Sequence, residues 1–182
     1  MFKKALFITT LSLMTLFQGC SDSSDANKVV ASETYNLTDT ANRPFTVTKE
    51  GNNFTVAGHD GKVVIFDIFA TWCPPCRAEA PHLANLQKKF PDALTILGVT
   101  IETDKSNADL EAFKNEYGAD YTLINSKDNE KLSRAIASAI HVGQRFPIPL
   151  MVMYKDGKYV THYVGAIPEE MIESDIKKAL GR

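Results

Sequence analysis

Histidine is scarce in this chain. His59, His82, His141 and His162 are the only four, and none stands at a metal-ligand spacing from a cysteine. A structural zinc site wants four such ligands together, so the sequence gives no metal site. A basic excess is also missing. Lys and Arg number 20 against 22 Asp and Glu, a net charge of -2, so nothing points to nucleic acid as a partner. No apolar run reaches the roughly 20 residues that a membrane-spanning helix needs. Internal repeats and long low-complexity tracts are absent. What remains, 182 residues at 44% apolar content, suits one domain with a real core.

Cysteine is scarce too, with only Cys20, Cys73 and Cys76. Two of them define the most informative stretch, Phe66-Asp67-Ile68-Phe69-Ala70-Thr71-Trp72-Cys73-Pro74-Pro75-Cys76-Arg77. It opens as the apolar run of a buried strand and breaks at Thr71-Trp72. Cys73 and Cys76 then bracket Pro74 and Pro75, and a helical pattern follows. A Cys-x-x-Cys pair between strand and helix reads as a dithiol redox site. Cysteines three apart at a helix start lie about one turn apart, close enough for a disulfide to close. Cys73, at the helix mouth, is expected to face solvent, and Cys76 to be shielded. That asymmetry suits a nucleophile and a resolving thiol, because exchange runs by thiolate attack through a mixed disulfide. A purely structural disulfide is the competing reading, but so short a loop stabilises little. Arg77 follows Cys76, and covalent haem attachment would need histidine there.

A helix start favours a thiolate through its dipole and free N–H groups. Two prolines supply no N–H, so the expectation is modest thiolate stabilisation at Cys73. A weakly stabilised thiolate makes a less oxidising couple, hence a reductant or mild exchanger. Asp67, six residues before Cys73 in an apolar strand, is expected to hold its proton if it is buried without a partner. Pairing with Lys62, Lys155 or Lys158 is the alternative.

The segment Phe-x-Ala-Thr-Trp-Cys-Pro-Pro-Cys-Arg-x-Glu-x-Pro resembles the active site of the thioredoxin superfamily, and within it the TlpA/ResA-like, membrane-tethered thiol–disulfide oxidoreductases of bacteria. The likeness spans roughly residues 44–182. It implies a thioredoxin fold, with a central mixed sheet flanked by helices, an N-terminal β-hairpin and a helix–strand insertion. It makes Asp67 the proton acceptor for Cys76. Glu79 matches the acid that ResA-like proteins hold near their cysteines, so two acids compete for the role, and an exposed Glu79 is a further reading. Pro149 matches the cis-proline opposite the dithiol, with Pro147 as the competing register. Substrate backbone would then pair at Ile148. Trp72, with Pro74 and Pro75, would form the docking surface, although core packing serves Trp72 as well.

The first nineteen residues read separately. Met1-Phe2-Lys3-Lys4 is a basic start and Ala5 to Phe17 an apolar run, the pattern of a secretory signal peptide. Phe17-Gln18-Gly19-Cys20 resembles the bacterial lipoprotein cleavage box, although Phe17 stands where leucine is usual. Lipid on Cys20 would account for the odd thiol of an exported protein, and an ordinary cleaved signal with a free Cys20 is the alternative. Removing residues 1–19 takes Lys3 and Lys4 and no acid, so electrostatic adhesion to anionic lipid is not expected and lipid would be the tether. Residues 20–43 read as a flexible polar spacer, and the domain occupies 44–182.

Along that domain, Pro44–Thr48 and Asn53–Ala57 read as a hairpin. Val63–Ala70 is a strand covered on both faces. A helix from Pro75 to about Phe90, a strand at Leu94–Ile101 and a helix capped by Ser106 and stopped at Gly118 follow. A short strand at Tyr121–Ile124 precedes a helix at Asp128–Ile140. Asp156-Gly157 turns a second hairpin, and Pro168 opens a last helix. The expected function is thiol–disulfide exchange on extracytoplasmic proteins by a monomer without cofactor, served by a membrane-bound electron donor. The resemblance adds apocytochrome c as a substrate. Two other readings stand beside it, a Dsb-type oxidase or isomerase and a copper(I) carrier. Soft thiolates suit that ion, but such a carrier would more often have a longer cysteine spacing and a late histidine.

Overall fold

The computed structural model describes residues 31–182. The signal segment, Cys20 and the first part of the expected spacer lie outside them. Twelve elements follow in order: β1 (Ser32–Thr38), β2 (Pro44–Glu50), β3 (Asn53–Val56), β4 (Val63–Phe69), α1 (Pro74–Lys89), β5 (Leu94–Thr100), α2 (Asn107–Tyr117), β6 (Thr122–Ile124), α3 (Asn129–Ala139), β7 (Leu150–Lys155), β8 (Lys158–Val164) and α4 (Glu169–Ala179).

The central sheet runs β6-β5-β4-β7-β8. β4, β5 and β6 are parallel, and β7 and β8 are antiparallel additions at one side. Strand periodicity explains the layering. Val63, Ile65 and Phe69 of β4 face one core with α1, α2 and α4, whereas Val64, Phe66 and Ile68 face the other with α3 and the N-terminal strands. A strand buried on both sides must read as a continuous apolar run, and β4 does so except at Asp67. By the same alternation Asp67 falls on the α1 face.

The spacer expectation fails over residues 32–43. Ser32–Thr38 is a strand, paired along its whole length with β2. Only Tyr35 and Leu37 carry the apolar alternation, and both are fully buried. The polar residues around them hide a strand whose outer face meets water. Asp39 then closes the turn, accepting from the backbone N–H groups of Ala41 and Arg43 and from Arg43 Nε at 2.6 Å. The expected hairpin is thus a three-stranded sheet, β1-β2-β3.

Local signals behave as their chemistry requires. Ser106 and Asp109 form a reciprocal capping box, and Gly118 ends α2 in the left-handed region. Asp156 and Gly157 both have positive φ, 51° and 76°, the backbone of a tight hairpin turn.

Candidate active site

The end of β4 delivers the chain to the cysteines. Cys73 has extended backbone angles and serves as N-cap of α1, with no side-chain cap of its own, and Pro74 and Pro75 occupy the first two helical positions. Proline suits that place because the first helical N–H groups lack partners anyway. The turn before it is braced: Glu102 accepts from Thr71 N at 2.5 Å and from Thr71 Oγ1 at 3.1 Å. Arg77 Nε donates to Thr71 O at 2.7 Å, and its guanidinium lies 4.8 Å from the Tyr117 ring centroid.

The expectation that Cys73 faces solvent is not met. It is 3% exposed and Cys76 is 4% exposed; both are free thiols. The reason is the neighbouring loop: Cys73 Sγ turns toward the start of β7 and lies 3.8 Å from Ile148 O. The Ile148–Pro149 peptide is cis, so Pro149 rather than Pro147 has the matching register. Around this covered sulfur the rim is open. Trp72 is 59% exposed, Pro74 and Pro75 are exposed, and Ile148 is half-buried. Core packing of Trp72 is therefore set aside.

Beneath the sulfurs lies a group of buried titratable side chains. Cys76 is pushed far above the ordinary thiol range, first by burial and then by its hydrogen bond with Cys73; a backbone hydrogen bond at Ala70 opposes this, and the charge of Asp67 adds to it. Asp67 is 3% exposed and meets none of the three lysines. Instead, its Oδ2 accepts from Tyr121 Oη at 2.8 Å, and Oδ1 has no partner. Burial raises its pKa to about 7 against the pull of the Tyr121 bond. Glu79 is also buried rather than solvated, at 2%. Its Oε1 accepts weakly from Ile167 N at 3.4 Å, and burial followed by the charge of Asp67 raises its pKa to about 8. These groups thus act on one another, and among the described residues no Lys, Arg or His charge shifts them. Tyr121 was missed in the sequence because it reads as the start of an apolar strand.

Among the described residues, no group of three or more His, Cys, Asp or Glu is placed to hold a metal ion. A strand-to-helix dithiol, a cis-proline loop across from it and buried acids beneath it fit thiol–disulfide exchange.

Comparison with known proteins agrees. The family described as Redoxin matches residues 29–180. The chain belongs to the redoxin family. Within it, this redoxin is a ResA/TlpA-like thiol–disulfide oxidoreductase of thioredoxin fold. It is 28% identical over 130 residues to the thiol-disulfide oxidoreductase ResA of Bacillus thuringiensis, covering 71% of this chain and 70% of that one. It is 25% identical over 173 residues to ResA of Bacillus subtilis, covering 93% and 90%. Among solved structures, a thioredoxin-family thiol:disulfide interchange protein of Chlorobium tepidum superposes with a TM-score of 0.65 at 25% identity, covering 81% of this chain and 94% of that one. No helix among the described residues is long and apolar enough to cross a membrane.

Proposed function

We propose that this redoxin is an exported, lipid-tethered reductant of protein disulfides, with Cys73 attacking and Cys76 resolving. The observation that carries the division of labour is the direction of the two thiols. Cys73 Sγ points to the carbonyl of half-buried Ile148, beside the exposed Trp72, whereas the charge of Asp67 bears on Cys76. An extended partner segment lying against Ile148 would bring its disulfide to Cys73, with Trp72, Pro74 and Pro75 as the contact surface.

The chemistry runs in two exchanges. Cys73 thiolate attacks one partner sulfur, the partner disulfide breaks and a partner thiolate leaves. Cys76 then loses its proton to Asp67 and attacks Cys73 Sγ; the mixed disulfide breaks, the second partner thiolate leaves, and Cys73 and Cys76 are joined. Two electrons pass from the protein dithiol to the partner disulfide. Asp67 is favoured over Glu79 as acceptor because it stands at the matching position of the family, six residues before Cys73 in β4, and its charge bears on Cys76. A proline pair at the head of α1 and a cation-free buried cluster favour the thiol over the thiolate, which supports the reducing direction.

Export rests on the basic start and apolar run of residues 1–17, and lipidation on Gly19-Cys20. The oxidised protein would be re-reduced by a membrane-bound donor outside the cytoplasm, and apocytochrome c is the substrate suggested by the family likeness. A Cys76→Ser variant tests the central reading. It should accumulate mixed disulfides on Cys73 when offered a disulfide-bonded protein such as insulin. Accumulation with Cys73→Ser instead would reverse the roles, and none with either variant would end the proposal. A Cys20→Ser variant remaining in the membrane fraction would refute the lipid tether.

A further inference from the structure

Gly98 of β5 stands directly opposite Asp67 of β4 in the parallel ladder. A Cβ built on Gly98 would lie 2.9 Å from Tyr121 Cε2 and 2.8 Å from Leu123 Cδ2. The space that any other residue would fill is therefore taken by the Leu123 side chain and the Tyr121 ring, and the Tyr121 hydroxyl lies 2.8 Å from Asp67 Oδ2. Tyr121 itself is 5% exposed. A buried phenol normally finds a hydrogen-bond partner. Here that partner is Asp67 Oδ2, while Asp67 Oδ1 has none.

We propose that Tyr121 is a positioning residue of the dithiol site: its hydroxyl fixes one oxygen of Asp67 and leaves the other to take the proton that Cys76 must lose. The proposal rests on Asp67 being that acceptor. The step is a proton transfer alone. The Cys76 S–H bond breaks, its electron pair stays on sulfur, and an O–H bond forms at Asp67 Oδ1. A hydrogen bond donated to a carboxylate favours the charged form, so Tyr121 keeps a fraction of Asp67 ionised that burial would otherwise neutralise. Tyr121, the residue before β6, bonds Asp67, and the charge of Asp67 bears on Cys76 and Glu79 from α1; beside Asp67 in the sheet β5 presents Gly98 and β7 presents Met151, neither of them charged.

The test is single-turnover reduction of a disulfide-bonded peptide by the full chain, followed through Trp72 fluorescence across pH. The attack step is isolated in Cys76→Ser. Tyr121→Phe keeps the ring and removes the donor. It should move the rising limb of the resolving step up by about one pH unit, the size expected for one hydrogen bond to a charged group. Resolution should be about fivefold slower at pH 7, where Asp67 titrates, and should rejoin the wild-type rate at high pH. The attack step should not change, and Tyr121→Phe should add nothing to Asp67→Asn. If Asp67→Asn slows resolution but Tyr121→Phe follows the wild-type profile, the positioning role is overturned and the acceptor role stands. If Asp67→Asn has no effect, both fall. A 13C NMR titration of the Asp67 carboxyl guards against a packing effect: the midpoint rises in Tyr121→Phe if the proposal holds and stays fixed if it does not.

Discussion

Cys73 Sγ and Ile148 O lie 3.8 Å apart although 75 positions separate them in the chain. The contact covers the sulfur, while Trp72, the residue before Cys73, stays exposed. The docking role proposed for Trp72 and the stability of the fold are therefore separable at this position.

Trp72→Ala should raise KM for a protein disulfide severalfold while leaving the unfolding free energy within about 0.5 kcal/mol, the usual range for an exposed position. Insulin reduction kinetics and urea denaturation check the two halves. A loss of several kcal/mol would return Trp72 to the core.

Asp67 and Glu79 should make the domain less stable as pH rises. Both have folded pKa values above their ordinary ones, about 7 and about 8. The folded state binds more protons than the unfolded chain between the ordinary carboxylate range and those values. The stability they contribute is complete below the ordinary carboxylate range and is lost progressively as pH climbs from there through 7 and 8. Asp67→Asn should raise Tm at pH 8 and change it little at pH 4, as read by thermal denaturation at both pH values. An equal shift at both would show that Asp67 does not titrate in this window.

Leu37→Ala should cost about 2–5 kcal/mol, the range for truncating a buried leucine, because Leu37 is 1% exposed in the second core. Urea denaturation measures it. A neutral result would return residues 32–38 to the role of spacer.

The reading of the sequence succeeded where one element carried its own signal. β4 is a run of apolar residues, α2 has its cap at Ser106 and its stop at Gly118, and the β7–β8 turn is an Asp-Gly pair. It failed where the deciding partner was remote. β1 has only Tyr35 and Leu37 to mark it, and its pairing with β2 is invisible until both strands share a sheet. The Cys73–Cys76 spacing revealed the dithiol, but not that a carbonyl from residue 148 would cover the outer sulfur. Asp67 was conspicuous as a lone acid in an apolar run. Tyr121 was not, because its value depends on an absent side chain at Gly98, across the sheet.

The hairpin turn at Gly157 has a mechanical consequence. Gly157 O accepts from Phe54 N at 2.8 Å, and a Cβ there would collide with Thr55 Cγ2 at 2.6 Å. The N-terminal sheet thus grips one end of β7, and the other end of that strand leads straight into Ile148. Six residues, Leu150–Lys155, act as a stiff bar between the grip and the loop that covers Cys73. The N-terminal strands are thus joined to the cover of the dithiol through a single short strand.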